Sequence, residues 1–98
     1  MIYRLLLRRQ AKRDLQRAAT WYEKRLAGLG REFLQEIDIA LERIEQNPLL
    51  YPAVYRDIRR AVANKFPYGI FYRIDRDSII VFAIVHLHRD VSSWQDRV

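Results

Sequence analysis

An unbroken apolar run from Ile79 to Val85, opening after Ser78 and passing into His86, Leu87, His88 and Arg89, limits the possible folds of this chain more than any other segment. It predicts a strand from Ile79 to Arg89 that is apolar on both sides of its pleat and then turns cationic, as a central strand does when it emerges at a working edge. Phe66 to Ile74 reads as its partner, joined through the polar turn Asp75 to Ser78 to make a β-hairpin. Strict alternation along the apolar strand puts Val81, Ala83 and Val85 in one row and Ile80, Phe82 and Ile84 in the other. Both rows need cover, either from a small core of the chain's own or from a partner chain.

The remaining segments supply one such cover. Ile2 to Leu7 alternates as a strand, with Tyr3, Leu5 and Leu7 on one side, and Arg4 together with the Arg8–Arg9 pair argues against a signal or a membrane span. Ala11, Leu15, Ala18, Tyr22 and Leu26 recur at helical spacing and predict a helix over about Gln10 to Leu26. Gly28 and Gly30 fall in a short turn, after which Phe33, Ile37, Ala40, Leu41 and Ile44 repeat the stripe until Asn47 and Pro48 stop it. Tyr55 to Ala63 reads as one further strand. The order is β-α-α-β-β-β, an α+β domain over residues 1–98 in which a helical hairpin packs on one face of a largely antiparallel sheet.

At 98 residues the chain can bury about two-thirds of the surface its unfolded form exposes, which leaves room for one core and none for a cofactor-binding domain. No cofactor is expected. Cysteine is absent, which removes disulfides and thiolate chemistry and fits a reducing compartment, so the cytoplasm is the expected location. The net charge of +6 is carried mainly by arginine, whose planar fork pairs with carboxylates and phosphates, so an acidic partner is expected. His86 and His88 share a strand face, but no third ligand has metal-site spacing, and no metal is expected. Tyr68 and Tyr72 also share a face and read as core or groove lining.

The element order, the Phe66-Pro67-Tyr68 opening with Ile70 and Tyr72, the strand Val81 to His86 with Arg89 beyond it, the pair Arg59 and Arg60, and Trp94 near the end together resemble the ParE/RelE superfamily of bacterial toxins, on its ParE-like side. The resemblance spans nearly the whole chain. It implies a toxin held inactive by an acidic, partly disordered antitoxin that folds across an apolar and basic surface, for which Trp21, Leu29, Leu34, Arg59, Val81, Ala83 and Val85 are the expected contacts.

Two activities follow from the resemblance. A ParE-like toxin blocks DNA gyrase by binding, and Arg60, Arg73, His86, His88, Arg89, Trp94 and Arg97 are the expected target-binding residues, with the tail's aromatic-plus-arginine composition suited to an interface. A RelE-like toxin cleaves mRNA on the ribosome, and Arg60, Arg73, His88 and Arg89 would then hold phosphate and move protons. Against cleavage, the stretch Asp90 to Val98 has no tyrosine, and clustered lysines are missing from the strands. A basic nucleic-acid-binding module is a third reading, weakened by the lack of a helix-turn-helix or ribbon motif.

Overall fold

The computed structural model describes residues 2–90 and 94–98. Among them run β1 (Arg4–Leu7), α1 (Arg9–Arg25), α2 (Leu29–Gln46), β2 (Ala53–Tyr55), β3 (Ile58–Val62), β4 (Tyr68–Asp75), β5 (Ser78–His86) and a 3-10 turn at Gln95–Arg97. The sheet order is β1-β5-β4-β3-β2, with β1 parallel to β5 and the other neighbours antiparallel. The apolar strand therefore sits inside the sheet, flanked by β1 and β4, and the β-α-α-β-β-β order holds with one short strand added.

That addition divides the segment expected as one strand from Tyr55 to Ala63. Arg56 takes a left-handed backbone (φ 52°), and the chain reverses there into a tight hairpin between β2 and β3. The long strand is also shorter than expected: β5 ends at His86, and Leu87, His88 and Arg89 form a turn. His86 and His88 are thus not two residues of one strand face.

The helical stripes pack as their spacing predicts, except at one end. Ala11 and Ala18 of α1 and Phe33, Ile37, Ala40, Leu41 and Ile44 of α2 are buried against Ile70, Tyr72, Ile79 and Ile84 of the sheet, with Tyr3, Leu5 and Leu7 at the margin. Leu26 lies beyond the last turn of α1 and is exposed. Each fully buried Phe or Ile in this layer contributes about 1.5–3 kcal/mol of transfer free energy. Gly28 supplies the expected left-handed position (φ 90°) as the N-cap of α2. Gly30 does not belong to the turn: it is a buried residue of α2, and a Cβ there would lie 2.6 Å from the Ala19 carbonyl oxygen, so its role is close helix–helix approach. Glu23 completes the corner, its carboxylate accepting the backbone N–H groups of Gly28 (2.9 Å) and Gly30 (3.0 Å), which α2 leaves without helical partners.

Strict alternation fails inside β5. Tyr72 pairs with Val81 and Phe71 with Ala83, so Phe82 is an extra residue, a β-bulge. Ile79 and Val81 face the helices, Phe82 and Ala83 both face away, and Ile84 faces the helices again. The expected row of Val81, Ala83 and Val85 is therefore split between the two faces, and all three are buried. The second face has its own small core of Ile58, Phe71, Phe82, Ala83, Val85 and Trp94. Trp94 stacks on Phe71 (centroids 4.4 Å apart, planes 15° apart) and meets Tyr55 edge-on at 5.6 Å. No helix among the described residues is long and apolar enough to cross a membrane.

Candidate functional site

Where α1 passes the end of β5, aromatic and cationic side chains collect around Trp21. Its ring is 38% exposed and stands edge-on to Tyr22, with the Arg25 guanidinium 4.2 Å and the Arg89 guanidinium 4.8 Å from its centroid. Such contacts are each worth about 0.5–1 kcal/mol at exposed sites. Arg89 also donates from Nη2 to the Tyr68 hydroxyl at 3.4 Å, a long bond. A cavity of about 260 Å³ opens here, lined by Arg17, Trp21, Tyr68, Arg89, Asp14 and Arg97 among others.

The floor of this cavity is an ion pair. Beyond the end of β1 the edge of β5 is open, and Asp14 of α1 accepts the Ile84 N–H at 3.0 Å. Arg97 binds both oxygens of the same carboxylate, with Nη2 3.0 Å from Oδ1, and also donates to the Phe82 carbonyl at 3.3 Å. The two side chains are only 8% and 18% exposed. Arg97, expected at a target interface, is thus tied to α1 and β5, and Trp94 beside it is buried in the second core.

Arg89 is carried on a turn that His86 braces. The imidazole Nδ1 accepts the N–H groups of His88 (3.1 Å) and Arg89 (3.2 Å), and the His86 carbonyl accepts the N–H of Asp90 at 3.0 Å. An Nδ1 that accepts carries no proton. Burial, reinforced by the Arg89 and His88 charges, pushes the His86 pKa below its ordinary value near 6.5 and favours this neutral form. The Tyr68 ring stands edge-on to the imidazole at 5.3 Å. Desolvation raises the pKa of Tyr68 and Tyr22, so both stay protonated near neutrality.

The other predicted residues lie apart. Arg60 lines a cavity of about 440 Å³ on the second face together with His86, His88 and Trp94. Arg73 lines a separate cleft of about 80 Å³ with Arg8 and Arg97. Arg60, Arg73 and Arg89 thus open on three different cavities, and of the residues expected for cleavage His88 alone shares one with Arg60. Leu29 packs at the edge of the helix-side core, Leu34 is 38% exposed on α2, and Arg59 donates to the Leu49 and Tyr51 carbonyls, holding the connector after α2. In the tail, Val91, Ser92 and Ser93 lie outside the described residues.

Asp14, Arg17, Glu23 and Arg25 were not singled out by sequence reasoning. The available signal was charge distribution: α1 holds six basic and two acidic residues, whereas α2 holds two basic and five acidic. An acid isolated among cations on a helix is a candidate for internal use, and both acids of α1 are so used.

Comparison with known families finds a match over residues 5–91 to the ParE toxin of the type II toxin–antitoxin system parDE. Comparison with curated proteins finds no match. Among solved structures, a chain of the chromosomal ParDE toxin–antitoxin system from P. aeruginosa is 18% identical, covers 87% of this chain and 96% of its own, and superposes with a TM-score of 0.74. A chain of the RelBE2 toxin–antitoxin complex from Mycobacterium tuberculosis is 20% identical, covers 88% and 99% respectively, and has a TM-score of 0.62. Both likenesses extend over nearly the whole fold.

Proposed function

Since the chain belongs to the ParE toxin family of type II toxin–antitoxin systems, we propose that it arrests growth by binding DNA gyrase in the cytoplasm rather than by cutting RNA, and that an acidic antitoxin neutralises it. The observation that carries binding over cleavage is the scatter of Arg60, Arg73 and Arg89 over three cavities. Phosphodiester cleavage needs a base, an acid and phosphate-holding cations converging within hydrogen-bond reach of one reacting group. His86 adds to the argument, because its Nδ1 already serves the Arg89 turn.

A basic surface with an aromatic centre suits an acidic antitoxin, since opposite charge speeds encounter and an ordered aromatic anchor contributes affinity. The test is a pair of assays on the purified chain, gyrase supercoiling and mRNA cleavage on programmed ribosomes. Inhibition of supercoiling without cleavage is expected. Ribosome-dependent cleavage lost in Arg60→Ala, or supercoiling unaffected at toxin excess, would overturn the reading.

A further inference from the structure

The two acids of α1 are engaged inside the molecule, Asp14 by Arg97 and the Ile84 N–H, Glu23 by the start of α2. Its six cations make no ion pair with a carboxylate among the described residues. Arg13, Arg17, Trp21 and Lys24 line a shallow groove along the exposed side of the helix, and Arg17 and Trp21 continue it into the cavity that Arg89 lines. α2, the other half of the hairpin, is predominantly acidic and repels the same occupant. Two guanidiniums already lie over the Trp21 ring, which reduces its value as a platform for bases, while their outward forks suit carboxylates. The occupant that fits is an acidic protein segment.

The turn that carries Arg89 to this groove is braced by the His86 imidazole. We propose that the α1 groove docks an acidic segment of a partner protein with one carboxylate on Arg89, and that His86, through an unprotonated Nδ1, is the residue that positions Arg89 for it. The existence of such a partner rests on the toxin–antitoxin reading above. The groups that face His86 are Arg89, His88 and Asp90 from the turn, Tyr68 from β4, and Arg60 across the second-face cavity. Arg89 and His88 oppose protonation and Asp90 favours it.

The proposal has a sign that charge alone does not produce. Protonating His86 adds a positive charge, and simple electrostatics would then strengthen an acidic ligand. An imidazolium has donors at both nitrogens, so it releases the two turn amides and Arg89 with them, and docking weakens instead. As pH falls below 6.5 and through the lower folded-state value, the turn also loses the stability that the neutral imidazole supplies.

The probe is a fluorescein-labelled, Asp-rich peptide of about 16 residues, which stays ionised at both about pH 7.5 and about pH 5. Anisotropy should show binding at the higher pH and a loss of about tenfold at the lower one, the scale of one charge-assisted contact. His86→Asn retains an acceptor near the Nδ1 position without titrating, and should keep the affinity while losing the pH dependence. His86→Leu should bind weakly at both. Affinity that rises in acid, or an undiminished acid loss in His86→Asn, would overturn the role of His86. Absent binding at neutral pH, or binding unchanged in Trp21→Ala, would overturn the docking surface. Growth arrest relieved by an acidic antitoxin alongside any of those results would leave the toxin reading standing and remove only this one.

Discussion

On one face of the sheet, Phe33, Ile37 and Ile44 arrive from a helix of 18 residues that is itself braced by α1; on the other, Trp94 arrives from a segment ending in a three-residue 3-10 turn. The first cover is held by many apolar contacts spread over two helices. The second depends on one large ring stacked on Phe71 and on one ion pair, Arg97 to Asp14, that ties the segment to α1 and the β5 edge. A layer fixed by few contacts opens at lower free energy than one fixed by many. The contrast shows how a chain of 98 residues can cover both sides of a central strand with material for only one helical layer.

Substitutions at four positions test that contrast, in descending size of effect. Phe33→Ala removes a fully buried ring at the junction of Tyr22, Phe66 and Tyr68, and should cost about 3–5 kcal/mol in urea denaturation, with loss of helical circular dichroism in the same transition. Trp94→Ala should cost about 3 kcal/mol, at the lower end of the range for large aromatics because cover is lost from one side only. Its distinguishing sign is increased binding of a hydrophobic dye while amide exchange in α2 remains slow; equal acceleration in α2 would show that the two layers do not open separately. Asp14→Ala strands Arg97 and the Ile84 N–H, and should lose about 2–3 kcal/mol, short of the value for a fully buried pair since Arg97 keeps some contact with water. Asp14→Asn, which preserves an acceptor for Ile84, should lose less.

The smallest effect belongs to the helix side. The Tyr72 hydroxyl donates to the Pro48 carbonyl at 2.6 Å, anchoring the end of α2 to β4, and Tyr72→Phe should cost about 1 kcal/mol at neutral pH in thermal melts. Burial pushes the Tyr72 pKa up from 10.0 to about 12. The unfolded chain therefore ionises first, and stability complete below pH 10 is lost as pH rises toward 12. Melts across that window should show a shallower alkaline decline in the phenylalanine variant, and an identical decline would remove Tyr72 as its source.

Much of the helix layer was legible because a 3.6-residue stripe leaves a long, redundant trace: the Phe33-to-Ile44 positions are all buried as the spacing requires. The apolar body of the central strand and its hairpin partner were legible from the run of apolar residues, but its end at His86 and its parallel neighbour β1 were not. Local exceptions left no such trace. Nothing in Val81-Phe82-Ala83 marks a bulge, since three apolar residues in a row are compatible with either phase, and assuming strict alternation put Val81 on the wrong face relative to Ala83. The Arg56 reversal was hidden because an arginine seldom adopts positive φ. At the candidate site, Trp21 and Arg89 could be named from the sequence but not brought together, because 68 positions separate them and the contact depends on how α1 crosses β5. Asp14 looked like a solvated helix acid, and only the tertiary fold supplies its partners, one of them 83 residues away.

The extra residue at Phe82 also sets the phase of everything that follows it in β5. Were the same residues paired without the bulge, odd-numbered positions would keep facing the helices, and His86 would turn to the opposite side of the sheet from Tyr68. With it, the imidazole falls on the α1 side, where the Arg89 turn meets Trp21. One accommodated residue thus works as a half-step gear between the two layers: the core upstream and the contact surface downstream run in opposite parity, and flattening the bulge at unchanged sequence would exchange the two sides of the strand's end, whereas deleting Phe82 would keep them.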